Sequence, residues 1–302
     1  MSKGIAVVGN VFVDIKGFPY ETYIPAGRNS GEVKTVHGGV GRNIAEDLAN
    51  MGVSTAFVST VDNSAEAKDV VSRLVLSNVN TDYINHVRNG MGIWLAIFNE
   101  NGDVVGSISK RPDQSALHRF INSRGDEIFS DCDSVIIEID LDEDIVKSVF
   151  SFAEKYMKRV YACVANITIA AERLEYIKKS ECLICNVQEA GLLFSENYDN
   201  LSPKAMCTEL AAKLPKLGIK SMIVTMGEKG AVYADLSGRK EICPAADVRV
   251  VDTTGAGDAF CAGAMAGLSR GDSPREAMKL GTRIAASVIA SPENVCTPGI
   301  IK

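Results

Sequence analysis

Arg249-Val250-Val251-Asp252-Thr253-Thr254-Gly255-Ala256-Gly257-Asp258-Ala259-Phe260-Cys261-Ala262-Gly263-Ala264-Met265-Ala266-Gly267-Leu268 is the stretch on which the reading of this chain turns. Arg249-Val250-Val251 has the look of a short strand. Residues 259–268 are small and apolar, as in a buried helix packed closely against its neighbours. Small residues between the two let the backbone approach a ligand, and N–H groups at a helix N-terminus favour an anion. In that setting Asp258 accepts a proton from an attacking hydroxyl, while the backbone of Gly255, Ala256 and Gly257 stabilises charge on a transferred phosphoryl group. Two other readings compete. Gly255-Ala256-Gly257-Asp258-Ala259-Phe260 is a near miss to a dinucleotide fingerprint, lacking the third glycine and lying near the C-terminal end. The plainer one is a glycine-rich turn with Asp258 as a helix-capping residue. A Walker A loop occurs nowhere in the chain, so phosphates are not held in that way.

Outward from this segment, short apolar runs alternate with helix-period segments, the pattern of a parallel sheet covered by helices, so the fold class is α/β. Strands are expected at 5–9, 55–59, 134–139, 160–164, 182–185 and 222–225, and helices at 41–51, 64–77, 142–158, 202–216, 255–269 and 274–290. Two stretches break the alternation. From 11 to 37 and from 92 to 110 the pattern turns to short strands, with Asn99-Glu100-Asn101-Gly102-Asp103 as the turn of a hairpin. We expect the two stretches to form a small β lid inserted in a single domain of residues 1–302. No repeat, low-complexity tract or Pro-rich linker marks a second domain.

The bulk numbers fit an enzyme acting on small molecules. The chain has 302 residues, 46% hydrophobic and 23% charged, with 32 basic and 38 acidic side chains for a net charge of −6. No basic block tracks a phosphate backbone, which argues against nucleic-acid binding, and no apolar run is long enough for a membrane span, so we expect a soluble, cytoplasmic protein. Eight cysteines at irregular spacing read as reduced and mostly buried thiols. Cys182 and Cys185, three apart in an apolar strand, point to opposite faces and read as core. The three histidines lie far apart without a nucleophile elbow, so a hydrolytic triad has no support.

The segment 252–258 resembles the C-terminal signature of the ribokinase-like (PfkB-type) carbohydrate kinases, and further landmarks of that family follow in order across nearly the whole chain. Gly38-Gly39-Val40-Gly41-Arg42-Asn43 is similar to the family's Gly-Gly turn and following Asn, which contact sugar hydroxyls; alone it would read as a turn and helix cap. Asp14 matches the carboxylate that grips two vicinal hydroxyls, where the bland alternative is a solvated turn residue. Asn186-Val187-Gln188-Glu189 matches an Asn-x-x-Glu that helps position magnesium and phosphate through water; a capping box has the same spacing. Thr225-Met226-Gly227-Glu228-Lys229-Gly230 matches a nucleotide-side loop, with Thr225, Gly227 and Gly230, together with Asn186, on the ATP side; a strand-to-hairpin turn is the alternative.

The resemblance implies a three-layer α/β/α core with a mostly parallel sheet and a β lid, and ATP and Mg²⁺ as cofactors. It further implies a monovalent cation such as K⁺ beside Asp252, and a homodimer formed through the lid. Within the family, 29–45 and 94–103 resemble pseudouridine kinases most, which implies transfer to a ribose 5′-hydroxyl. The chain departs from that pattern at Ile108-Ser109-Lys110-Arg111, at Val160-Tyr161-Ala162-Cys163-Val164-Ala165, and at Cys185 where a Pro often precedes the Asn-x-x-Glu. Other nucleosides, ribose and a fructose phosphate stay open as acceptors, as does a ligand-sensing regulator on the same fold. Lys110 and Arg111 read either as solvated lid charges or as partners of a phosphorylated substrate.

Overall fold

The apolar runs pair into one large sheet. In the computed structural model, which describes residues 3–301, the strands in chain order are β1 (Ile5–Val8), β2 (Phe12–Pro19), β3 (Gly31–Gly38), β4 (Thr55–Val61), β5 (Ile84–His86), β6 (Gly92–Phe98), β7 (Val104–Lys110), β8 (Ser134–Glu138), β9 (Arg159–Cys163), β10 (Cys182–Asn186), β11 (Ser221–Thr225), β12 (Ala231–Asp235) and β13 (Lys240–Cys243). The helices are α1 (Val40–Asn50), α2 (Ala65–Leu76), α3 (Gln114–Ser130), α4 (Glu143–Lys155), α5 (Ile167–Ala171), α6 (Leu174–Lys179), α7 (Val187–Phe194), α8 (Pro203–Leu217), α9 (Ala256–Arg270) and α10 (Pro274–Ile289).

The large sheet has the order β13-β12-β11-β10-β9-β8-β1-β4-β5. It is parallel from β11 through β5 and antiparallel only at the β11-β12-β13 edge. Alternation along each strand feeds two cores. Ile5 and Val7 of β1 point into one with α1, α2, α9 and α10, and Ala6 and Val8 into the other with α3, α4, α6 and α8. Cys182 and Cys185 likewise enter opposite cores, and all eight cysteines are free and buried. The chain is therefore a three-layer α/β/α sandwich.

Close packing of small residues seats α9. A Cβ on Gly263 would come within 2.8 Å of the Gly281 Cα, and one on Gly267 within 2.9 Å of the Ala277 Cα, so α9 and α10 touch backbone to backbone. A separate four-stranded sheet, β3-β2-β6-β7, draws its strands from both sides of the α1–β5 segment. Its β6–β7 hairpin closes through the Asn99 N–H donating to the Asp103 carbonyl at 2.8 Å.

One local expectation fails. Arg249–Val251 is no strand: Val250 and Val251 are 62% and 55% exposed, and among the described residues the one backbone bond there is from the Val251 N–H to the Ile289 carbonyl at 2.8 Å. Branched side chains favour extended backbone, but a strand needs a neighbour, and the sheet has already ended at β13.

Candidate active site

β1 has β4 on one side and β8 on the other, so the order of strand addition reverses there while the strands stay parallel. A crevice opens beyond the carboxyl ends of such strands. Its floor is Glu138, 2% exposed, which accepts hydrogen bonds from the Asn10 N–H and Nδ2, both at 3.0 Å, and from the Gly41 N–H. Glycine is required around it, because a Cβ on Gly9 or Gly41 would lie 2.5 or 2.8 Å from Glu138 Oε1. Burial and the neighbouring Asp140 push the Glu138 carboxyl upward. Sequence reasoning passed over Glu138 and Asp140, although two acids inside the apolar run 135–141 were the available signal, since buried carboxylates persist only with partners.

The first landmark pair forms a wall beside this floor. A Cβ on Gly38 would stand 2.6 and 2.7 Å from the two carboxylate oxygens of Asp14, so the glycine is what allows Asp14 to lie against the turn. Gly39 has φ +98°, caps α1 without a side chain, and leaves 2.5 Å between a Cβ and the Asn10 carbonyl. One turn on, Asn43 Nδ2 donates to Asp258 Oδ2 at 2.7 Å, joining residues 215 apart in sequence. Asn294 holds this corner from below, donating to the His37 carbonyl at 2.7 Å and to Asn43 Oδ1 at 3.5 Å.

Asp258 itself lies in the first turn of α9 and does not cap it. Burial pushes its carboxyl up to about 6; the Asn43 hydrogen bond and the Arg42 charge work against that, and the Asp14 charge adds to it. Such an acid is ionised at neutral pH yet holds a proton better than an ordinary aspartate, as a general base must. Gly255, at φ +81°, packs so tightly on the Asn294 carbonyl that a Cβ would sit 2.0 Å from it. A Cβ on Gly257 would meet nothing within 4 Å, so open space stands over the helix N-terminus. Ala256 differs from expectation: its N–H is already donated to the Thr253 carbonyl at 3.2 Å. Among the described residues no acceptor meets the N–H groups of Gly255, Gly257 and Asp258, which are left free to meet an anion.

At the ends of β10 and β11, Asn186, Thr225 and Gly227 line one cleft of about 350 Å³ with Gln188, Glu228 and Lys229. Gly230 is not in that lining. It has φ +91° and a Cβ there would meet the Cys243 carbonyl at 2.1 Å, so the hairpin turn alone demands a glycine. Asn186 and Glu189 do form a capping box: Asn186 Oδ1 accepts from the Glu189 N–H at 2.8 Å and Glu189 Oε2 from the Asn186 N–H at 2.7 Å. The capping box does not remove Glu189 from the site. Burial raises its carboxyl, and the charges of Asp140 and Asp258 raise it further, which places it in the same electrostatic neighbourhood. Asp252 accepts from the Thr254 N–H at 2.8 Å; although burial works against it, that bond and the Lys16 charge hold its carboxyl below the ordinary range.

The remaining candidates have partners of their own, Arg111 at the floor of the crevice and the others away from it. Arg111 donates to the Asp140 carbonyl at 3.0 Å and Lys110 to Asn89 Oδ1 at 3.3 Å. His37 pairs with Asp69 at 3.0 Å. Among the described residues no cluster of three or more His, Cys, Asp or Glu forms a metal cage, and no helix is long and apolar enough to cross a membrane.

The profile of the family described as pfkB family carbohydrate kinase matches residues 2–296. A guanosine-inosine kinase from Exiguobacterium acetylicum is 32% identical over 299 residues, 98% of each chain. A pseudouridine kinase from Escherichia coli (strain K12) is 23% identical over 260 residues, 86% of this chain and 82% of that one. The solved structure of Arabidopsis thaliana ribokinase complexed with ribose and ATP superposes with a TM-score of 0.84 at 22% identity, over 100% of this chain and 98% of its own.

Proposed function

This chain belongs to the pfkB family of carbohydrate kinases and is an ATP-dependent carbohydrate or nucleoside kinase, and we propose that its acceptor is the ribose 5′-hydroxyl of a nucleoside. The observation that supports this reading is the 2.7 Å hydrogen bond from Asn43 Nδ2 to Asp258 Oδ2, since an amide that binds the acceptor would then stand beside the base. The acceptor is gripped by Asp14, the Gly38–Gly39 backbone and Asn43. Its 5′-oxygen attacks the γ-phosphorus of ATP as its proton passes to Asp258 and the bond to ADP breaks. The N–H groups at the start of α9 receive the charge of the phosphoryl group, and the Asn186–Lys229 cleft receives the nucleotide. Mg²⁺ commonly keeps its waters and binds through one or two carboxylates plus substrate phosphates, neutralising their charge. Glu189 would hold it through water with the oxygen outside the capping box, and Asp252 is the proposed neighbour of a monovalent cation.

A purine nucleoside, guanosine or inosine, is the first choice of acceptor, because the guanosine-inosine kinase is similar over almost its whole length. Pseudouridine is the second, favoured by the segments 29–45 and 94–103. ADP release with guanosine, inosine, pseudouridine, adenosine, ribose and fructose 6-phosphate separates them: we expect a nucleoside to be turned over best, and preference for ribose or fructose 6-phosphate contradicts the assignment.

A base with its carboxyl near 6 sets the pH dependence. As pH falls through about 6, Asp258 gains a proton and kcat/KM drops tenfold per unit. Asn43→Ala removes a hydrogen bond that favours the ionised form, so the acidic limb moves to higher pH. A pH–rate profile of both proteins checks the direction.

The lid supports a homodimer. Ile15, Leu95, Ile97, Val33 and Ile108 share one face through the register Thr35–Ile15–Leu95–Ile108 and Val33–Gly17–Ile97. Val33 and Ile108 are 71% and 70% exposed, and a second copy would cover them. Sedimentation equilibrium should give a dimer that Ile108→Lys weakens, and a wild-type monomer contradicts this.

A further inference from the structure

Trp94 stands beside the acceptor-binding carboxylate. β2 and β6 pair in parallel with Asp14 opposite Trp94, so the two side chains leave the same face of the lid from neighbouring strands about 5 Å apart. That face also carries Phe12, opposite Gly92, and Lys16, opposite Ala96. A Cβ on Gly92 would come within 2.5 Å of the Phe12 ring, so the glycine lets that ring lie across the root of β6. On β6, glycine and alanine therefore flank Trp94 on this face, and its antiparallel partner on β7 is Ser109, too small to cover an indole.

The residue is half-buried, and among the described residues its indole N–H meets no acceptor and no aromatic ring or cation stacks on it. A tryptophan that fills a core packs its faces against neighbours and gives its N–H a partner. Nor does Trp94 belong to the exposed apolar face of the lid, because Leu95 and Ile97 alternate with it and point the opposite way. What shares its side is Asp14, backed by the acceptor-binding turn, where a Cβ on Gly38 would stand 2.6 Å from the Asp14 carboxylate. A flat, unpaired π-surface next to a hydroxyl-binding carboxylate suits a flat ring carried by a sugar.

We propose that Trp94 is a specificity-determining residue of the acceptor site, the platform on which the heteroaromatic base of a nucleoside stacks. The inference deepens the nucleoside reading above and rests on it. In a nucleoside the base is joined at C1′, beside the 2′-hydroxyl and across the sugar ring from the 5′ arm. With the vicinal hydroxyls on Asp14 and the 5′-oxygen at Asp258, the base leaves the sugar toward the lid, where the indole meets it face to face. Stacking tolerates any pattern of exocyclic groups, so Trp94 selects nucleosides over free sugars, and purines, with their larger ring system, over pyrimidines. Such binding is the same in the ground and transition states, so it acts on acceptor KM and not on kcat.

The chain contains a single tryptophan, so intrinsic fluorescence reports on Trp94 alone. Inosine added to the full-length wild type without ATP should quench that emission, and ribose at the same concentration should not. Trp94→Ala should raise the KM and the calorimetric Kd for inosine about ten- to a hundredfold with kcat within about threefold, and Trp94→Phe should keep most of the affinity. Trp94→Leu, which keeps apolar bulk without a π-face, takes the place of the alanine variant if that one fails to fold, and should lose affinity in the same way. Inosine turnover by a wild type whose emission inosine leaves unquenched overturns the proposal, as does an inosine KM within about twofold of wild type in the alanine or leucine variant, or a loss confined to kcat. If the wild type phosphorylates no nucleoside, the nucleoside-kinase reading fails on its own, and the fluorescence titration with inosine still decides whether Trp94 meets a base.

Discussion

Asp258→Asn is expected to lower kcat by about 10²–10⁴-fold while leaving nucleoside affinity nearly unchanged, as read by steady-state kinetics and by calorimetric titration. Asparagine keeps the shape of the side chain, and its carbonyl oxygen can still accept from Asn43 Nδ2, so the corner between α1 and α9 survives. What disappears is the proton acceptor. Were Asp258 a structural cap, the substitution would chiefly affect stability. The structure shows no side-chain cap on α9, and the nearest polar partner of Asp258 is the Asn43 amide on another helix. Retention of more than about a tenth of wild-type kcat would therefore remove Asp258 from the role of base.

Glu46→Ala is the substitution expected to cost the most stability, about 3–5 kcal/mol, seen as a fall in Tm on the order of 10 °C by calorimetry. Arg42 and Glu46 face each other at 2.6 Å with side chains 1% and 2% exposed. Arg73 holds the second carboxylate oxygen at 2.8 Å and links onward to Glu293 at 2.9 Å. Burial works against ionised Glu46, but Arg42 and Arg73 keep its carboxyl below the ordinary range. Removing the carboxylate strands a guanidinium in the core, which is far worse than never having buried the pair. Arg42→Met combined with Glu46→Ala should accordingly recover part of the stability. Activity should not recover with it, because Arg42 also donates to the carbonyls of His37 and Gly38, in the turn proposed to bind the acceptor.

The parts of the fold legible in the sequence are those that repeat locally. Apolar runs such as 222–224 announce strands buried on both faces, and the serine caps at Ser64, Ser202 and Ser273 sit where helices α2, α8 and α10 begin. What escaped is decided by partners far along the chain. The edge strands β12 and β13 exist because β11 offers a free side, whereas 249–251, equally apolar in appearance, finds none. The segment 114–130 was not expected as helix. Its apolar face is interrupted by Gly125, which gives way to Phe152 of α4, and no sequence spacing reveals that contact.

The site divides in the same manner. Asp258, Asp14 and Asn43 belong to motifs with fixed neighbours, so they could be named in advance, and the fold places Asn43 on Asp258. Glu138 answers Asn10 across 128 residues, and Asn294 bonds His37 across 257. Such pairs carry no local spacing.

The measurement that bears most directly on Asp258 as the base of a nucleoside kinase is ³¹P NMR of ATP mixed with guanosine or inosine, run with wild type and with Asp258→Asn. A nucleoside 5′-monophosphate resonance should grow in equal amount with ADP for the wild type, and almost none should appear for the variant. Equal product from both proteins, or ATP consumed with phosphate released to water and no monophosphate formed, would contradict that role.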